Sequence, residues 1–310
     1  MSKIVIALGG NALGNSAKEQ LQKAYVAANS IVDLIELGHQ VVIAHGNGPQ
    51  VGQIKLAFDN LSEDTLEESI PFAECTAMSQ GYIGYHLQQA LENELCNRGI
   101  NKVPVVTMLT QVQVDPKDIA FLNPTKPIGR YYDESTAKKL SSETGCVYKE
   151  DSGRGWRRVI ASPKPIDICE KESLNALVNA GHLVIACGGG GIPVVKTPHD
   201  LEGVNAVIDK DFAAEKMAEL IDADLFIVLT AVEHVYVNFN TDNQKKLEEV
   251  TVTQMSQYIE ENQFAPGSML PKVEAACQFA NSREGRVSII GLLESAINAI
   301  EGTSGTRIKQ

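Results

Sequence analysis

Residues 4–16 read IVIALGGNALGNS. Five apolar residues, Ile4 to Leu8, run without a polar break and drop into Gly9 and Gly10, with Gly14 four positions on. An unbroken apolar run of this length fits a strand buried on both faces of a sheet, and the glycines leave bare backbone at its C-terminal end. Counted from Gly9, the spacing is that of a phosphate-cradling loop, G-x-x-x-x-G-K-[ST], in which backbone N–H groups and a lysine hold the phosphates. Ser16 is in place, but Asn15 stands where the lysine belongs. The dinucleotide pattern G-x-G-x-x-G fails as well, because Asn11 replaces its second glycine. If this loop meets phosphate, its positive charge must come from elsewhere in the chain.

The same pattern repeats outward from this stretch. Ala24, Ala28, Ile31 and Ile35 recur at helical spacing up to Gly38, and HQVVIAHG (39–46) follows as a second strand. A long helical stretch ends near Gly99, and VPVVTMLTQVQV (103–114) reads as a third strand. HLVIACGG (182–189) and DLFIVLTAV (224–232) are two more, each preceded by a helix. Apolar strands separated by helices predict a mainly parallel sheet covered on both faces, which binds ligands at the C-terminal ends of its strands. Three glycine-rich segments fall at such ends: GGNALG, HGNGPQVG (45–52) and CGGGGIPVV (187–195). Singly, each reads as a tight turn; on one edge of one sheet, they predict a shared anion site.

The bulk properties narrow the partner. The chain has 310 residues, a formal net charge of −12 and six cysteines. That acidity argues against a nucleic-acid or anionic-membrane partner for the surface as a whole. The cysteines, at 75, 96, 146, 169, 187 and 277, form no C-x-x-C pair and read as reduced thiols of a cytoplasmic protein, with no zinc site. No apolar run reaches the length of a membrane span, and the first apolar run is too short for a signal-peptide core.

Residues 115–165 break the alternation. Between Asn123 and Lys164 stand nine lysines and arginines against five acids, whereas the rest of the chain carries about −16. A basic, proline-rich insertion in an acidic body reads either as a subdomain standing over an anionic ligand or as a solvated loop. A nucleic-acid arm is poorly supported, with few aromatics for base stacking. Lys126 sits between prolines in NPTKPIG, where the backbone is stiff. Lys210 lies between Asp209 and Asp211 at a predicted helix start, an awkward place for a cation unless an anion joins it. Lys272 follows FAPGSMLP at the opening of another helix. Each alone reads as a surface residue; together they offer the charge that Asn15 does not.

With these segments in order, and with SQGYIGY (79–85), EDSGRGWRRV, SPKPIDI, VIDKDFAAEKMAE, APGSMLPKVEAA and GTSGTRI, the whole chain resembles the carbamate kinases of the amino acid kinase family. NPTKPIG, GRGWRRV and SPKPIDI are the discriminating motifs. Many of the wider family carry a lysine where Ala7 stands here; the carbamate kinases do not. Ser152, where alanine is more usual, is the one departure. The resemblance implies a three-layer αβα sandwich around a mainly parallel sheet, a single domain over 1–310 with a small protruding subdomain at 115–165, and a homodimer. It implies reversible transfer of the ATP γ-phosphoryl group to carbamate, giving ADP and carbamoyl phosphate, with Mg²⁺ accompanying the nucleotide and ATP synthesis in catabolism as its use.

The expected roles follow from that reaction. Carbamate is already an anionic nucleophile, so no general base is needed and the protein mainly positions and neutralises charge. The amides of Gly9, Gly10 and Asn11 are expected to bind the transferring group, and those of Gly46, Asn47 and Gly48 the carbamate end. Lys126, Lys210 and Lys272 neutralise charge, while Asp209 and Asp211 orient lysines or water around Mg²⁺; no direct metal ligand is assigned. Ala231, Val232, Tyr236 and Met269 are placed near the nucleotide by the resemblance alone. Two alternatives remain at this stage: a sister kinase acting on an amino-acid carboxylate or UMP, and a non-catalytic nucleotide- or metabolite-binding regulator.

Overall fold

The computed structural model describes residues 2–9, 16–65, 70–151 and 153–310, with 60–65 described by their backbone alone. Gly10, Asn11, Asn15 and Ser152 therefore lie outside the described residues. The strand Lys3–Leu8 occupies the middle of an eight-stranded sheet, pairing in parallel with Gln40–His45 on one side and Leu225–Thr230 on the other. Beyond Gln40–His45 come Leu183–Ile185 and the edge strand Val105–Thr107; beyond Leu225–Thr230 come Val287–Leu292, Thr306–Lys309 and Glu249–Thr251. Every neighbouring pair is parallel except Val287–Leu292 with Thr306–Lys309.

Strand alternation divides the core in two. Ile4, Ile6 and Leu8 point to one face, where helices Ala17–Glu36, Phe72–Asn97 and Ala296–Glu301 pack. Val5 and Ala7 point to the other, against helices Lys171–Asn179, Lys210–Leu220, Val252–Glu260 and Met269–Ser282. The result is three layers, as expected. Phe226 and Phe279 meet tilted in the second core, ring centroids 5.7 Å apart. Among the described residues no helix is long and apolar enough to cross a membrane.

One expected strand divides. The run 103–114 gives Val105–Thr107 to the central sheet and Gln111–Val114 to a second, four-stranded sheet with Leu201–Gly203, Ile192–Lys196 and Pro165–Ile168. The switch falls at Thr110, whose N–H donates to Gln80 Oε1 and whose carbonyl accepts from Gln80 Nε2. A buried side chain of helix Phe72–Asn97 thus holds both Thr110 backbone groups, while the same carbonyl also accepts from Ile192 N–H at 2.8 Å, where the chain passes to the second sheet. The single helical stretch expected before Gly99 is likewise two helices, Gly48–Thr65 and Phe72–Asn97.

Gln111–Val114 and Pro165–Ile168 pair antiparallel, so the segment between them leaves and returns through neighbouring strands. Within it, Lys126–Tyr132, Trp156–Ile160 and Tyr148–Glu150 form a separate antiparallel sheet, with helix Glu134–Thr144 beside it. That helix starts on Asp133, which caps Thr136 N–H, and stops at Gly145 in the left-handed region. Ile128 and Ile160 of this sheet join Val51, Phe72, Cys75 and Val207 in a small third core, which seats it on the body.

Candidate active site

A cavity of about 360 Å³ opens at the C-terminal ends of Lys3–Leu8, Gln40–His45 and Leu225–Thr230, the edge at which a doubly wound sheet binds its ligands. Its lining brings together residues from Gly9 to Leu293, with Gly46, Asn47, Gly48, Lys126, Asp209, Lys210, Asp211, Ala231 and Lys272 between.

The charged cluster is built on the first turn of helix Lys210–Leu220. Asp209 is its N-cap: Oδ1 accepts from Asp211 N–H at 3.0 Å. Its other oxygen, Oδ2, accepts from Lys126 Nζ at 2.5 Å, so one carboxylate both starts the helix and holds the insertion's lysine. Asp211 divides itself between two lysines, Lys210 through Oδ1 and Lys272 through Oδ2, the latter at 2.8 Å. Three ammonium groups facing two carboxylates leave the cluster one positive charge in excess before any ligand arrives.

The protonation tendencies follow from burial and pairing. Burial works against ionised Asp209, yet Lys126 and Lys210 outweigh it and hold its carboxyl below the usual range. Burial lowers Lys210, which shares its partner with a second cation. For Lys272 burial is overcome by Asp211 and its pKa rises. A cationic pocket of this kind favours an anionic ligand that replaces the internal pairs.

The glycine loops have unequal parts. Gly9 lies so close to Leu229 that a Cβ would sit 2.9 Å from its carbonyl oxygen. Gly46 N–H already donates to Leu8 O at 3.2 Å, which leaves the Asn47 and Gly48 amides, at the start of helix Gly48–Thr65, as the donors for a ligand. The run Gly188–Gly191 was expected to share the anion site, but all four residues are buried and only Gly189 reaches the cavity. Its glycines allow close approach instead: a Cβ on Gly188 would meet His45 Nε2 at 2.4 Å, and one on Gly189 would meet Asn47 Nδ2 at 2.2 Å. His45 is buried, bonds Gly46 O, and burial lowers its pKa to about 4, so it is a neutral structural group.

The residues assigned to the nucleotide separate. Ala231 lines the cavity, and Met269 follows the lining residue Ser268 at the start of helix Met269–Ser282. Val232 and Tyr236 are not in the lining; Tyr236 lies on the hairpin strand Val235–Val237 with its ring 6.1 Å from Phe239. Thr230, Ile208, Val51, Gly267 and Ser268 line the cavity without having been singled out. Nor were the buried supports. Asn47 Nδ2 donates to Ser79 Oγ at 2.9 Å, and Gln80 Nε2 donates to Gly188 O at 3.0 Å. Their signal was present in SQGYIGY: two polar residues on the buried stripe of a helix demand partners there.

Among the described residues no group of three or more His, Cys, Asp or Glu side chains is placed to hold a metal ion. The two cavity carboxylates are each engaged by lysine. That donor set suits an ion arriving on nucleotide phosphates with its own waters, as Mg²⁺ does, better than a resident metal.

The profile of the amino acid kinase family matches residues 2–291. Carbamate kinase from Clostridium perfringens (strain 13 / Type A) is 54% identical over 312 residues, covering 99% of each chain. The carbamate kinase-like protein YqeA of Escherichia coli (strain K12) is 53% identical over 309 residues, again covering 99% of both. In three dimensions, carbamate kinase from Giardia lamblia bound to AMP-PNP superposes with a TM-score of 0.91 at 40% identity, over 99% of this chain and 98% of that one.

Proposed function

The chain belongs to the amino acid kinase family, and from that premise we propose that it is a carbamate kinase, catalysing ATP + carbamate ⇌ ADP + carbamoyl phosphate in the cytoplasm. The observation that carries the reading is the convergence of Lys126, Lys210 and Lys272 on two aspartates in one cavity at the strand ends. In the forward direction a carbamate oxygen attacks the γ-phosphorus and the bond to the ADP oxygen breaks. No proton moves in that step, which agrees with a cavity whose lining holds no histidine among the described residues. Lys210 and Lys272, on the body, neutralise the nucleotide phosphates and the group in flight. Lys126 reaches in from the insertion to the carbamoyl-phosphate side. Gly9, with Gly10 and Asn11 beyond it, offers amides to the transferring group; Asn47 and Gly48 offer theirs to the carbamate end. Ala231 and Met269 border the nucleotide, with Val232 and Tyr236 on the segment behind them. Mg²⁺ bound to the nucleotide supplies further charge neutralisation, and Asp209 and Asp211 are the side chains that would orient its waters.

The chain is read as one domain, 1–310, in which 115–165 is an inserted subdomain over the site. The separate three-stranded sheet and the Lys126–Asp209 pair support this. A homodimer is supported by the edge strand Val105–Thr107, which lacks a second neighbour among the described residues, with Tyr85 and Leu109 more than half exposed beside it. The catabolic direction, ATP synthesis from carbamoyl phosphate, is part of the proposal.

The deciding measurement is ATP formation from carbamoyl phosphate and Mg-ADP by the wild type and Lys126→Ala. A fall of roughly 10²–10³ in turnover with nucleotide binding retained supports both reaction and role. Unchanged turnover in the variant removes the role of Lys126. A folded wild type that binds nucleotide without turnover is a regulator, not a kinase.

A further inference from the structure

Beneath the insertion, on the far side of Ile128 from the main cavity, lies a second and smaller cavity of about 100 Å³. It is walled by helix Gly48–Thr65 on the body and by the insertion sheet above. Gly52 and Gly129 form its inner seam, so tight that a Cβ on Gly52 would lie 2.9 Å from Gly129 N. The lining holds three cations, Lys55, Arg130 and Arg158, against one carboxylate, Asp59, which pairs with Lys55.

Arg158 is the residue that needs explaining. It ends the basic run of GRGWRR, and strand alternation places it on the opposite face from Arg157. Arg157 and Arg154 both pair with Asp151, at 3.1 and 3.2 Å. Arg158 is partly buried and has no hydrogen bond or ion pair among the described residues. Its guanidinium rests over the Phe72 ring at 5.4 Å, and it stands directly across the sheet from Ile128 and Tyr148. A stacked guanidinium is held in one orientation with its N–H donors still open. Arg130, also on this lining, donates only to the Tyr132 hydroxyl. A partly buried guanidinium is normally paired, and among the described residues no side chain or backbone carbonyl accepts from that of Arg158.

We propose that this cavity is a second anion site, which takes one small oxyanion of the phosphate or carbonate class between Arg158 of the insertion and Lys55 of the body. About 100 Å³ admits a single such ion and excludes a nucleotide, whose pockets begin near 300 Å³. An ion held there ties helix Gly48–Thr65 to strand Trp156–Ile160, the direct sheet partner of the strand that carries Lys126 into the main cavity, with Ile128 as the shared wall.

Binding is read without turnover, so the test stands apart from the kinase reading. The full chain is titrated calorimetrically with inorganic phosphate and, separately, with bicarbonate in phosphate-free buffer. Two phosphate sites are expected, one abolished by Arg158→Gln and the other by Lys210→Ala. Arg158→Lys keeps the charge without the planar fork, so it should retain the site at about tenfold weaker affinity. An Arg158-dependent site that takes bicarbonate and not phosphate assigns the ligand to the carbonate class. One phosphate site that Arg158→Gln leaves intact, with no bicarbonate site, overturns the proposal. So does unaltered affinity in a folded Arg158→Lys, which guards against the glutamine variant failing to fold.

Discussion

Asp209 performs two tasks with two oxygens, and one substitution separates them. In Asp209→Asn the side chain still offers an oxygen to Asp211 N–H, and asparagine caps helices as well as aspartate does. The lost element is the charge on the oxygen facing Lys126 at 2.5 Å. A hydrogen bond to a charged partner is worth about 1.5–3 kcal/mol. The Lys126 side chain is 31% exposed, so solvent screens part of this, and about 2 kcal/mol is the expected loss of positioning. That corresponds to a fall of roughly 30-fold in kcat for ATP formation from carbamoyl phosphate and Mg-ADP in a coupled assay. The KM for ADP should hold, because Lys272 is anchored by Asp211 and not by Asp209. Added to Lys126→Ala, the change should cost less than the two single losses together, since the Lys126 partner is already gone. Asp209→Ala, by contrast, should also lose about 1 kcal/mol of stability with the cap. A kcat within twofold of wild type in a folded Asp209→Asn refutes the reasoning, as does a full additive loss in the double variant.

Three further outcomes are expected. Glu215 is buried, neither carboxyl oxygen has a hydrogen-bond partner among the described residues, and burial reinforced by Glu219 raises its pKa to about 9. A folded pKa above the unfolded one gives stability that is complete below about pH 4.5 and lost as pH climbs towards 9. Denaturant titrations should therefore show Glu215→Gln gaining on the wild type by on the order of 3 kcal/mol between pH 5 and pH 8; a gap independent of pH would refute the assignment. Gly189→Ala puts a methyl into the Asn47 amide at a φ of 68°, so it should raise the KM for carbamoyl phosphate and cost about 1–3 kcal/mol in thermal unfolding. No cysteine lines the main cavity and Cys96 is exposed, so maleimide labelling of Cys96, followed by mass, should leave turnover unchanged.

What the sequence disclosed depended on how local the cause was. The stretch Ile4–Leu8 declares a doubly buried strand by itself, because burial on both faces is written as an unbroken apolar run. The division of 103–114 was hidden, since it is imposed by Gln80, some thirty residues earlier, acting on Thr110. The lysines were visible as oddities of setting, Lys210 between two acids and Lys126 between two prolines. Their division between the aspartates was not, because Asp209 reaches 83 residues to Lys126 and Asp211 reaches 61 to Lys272. The glycines of 188–191 misled for a related reason. A glycine kept so that backbone can meet a ligand and one kept so that side chains can pack against it are spelled alike, and only the neighbours, His45 and Asn47, tell them apart.

The alanine at position 7, where many of the wider family carry a lysine, has an electrostatic explanation in this arrangement. Ala7 is fully buried on the face that packs helix Lys210–Leu220, in the same core as Ile208 and Phe212. An ammonium group there would enter a cluster that already sets three lysines against two aspartates, with the burial of Lys210 pressing it towards its neutral form. A further buried cation without a third carboxylate would push a lysine to give up its proton and its use to the reaction. Placing the charge on the insertion instead leaves Lys126 partly open to solvent, at 31%. The same placement makes the charge conditional on where the insertion sits. Lys126 is held at the cavity by its pair with Asp209 and by the small core around Ile128 that seats its sheet. An alanine at position 7 and a lysine on a separate sheet are thus two halves of one solution: a charge brought to the cavity without a further buried cation in the strand.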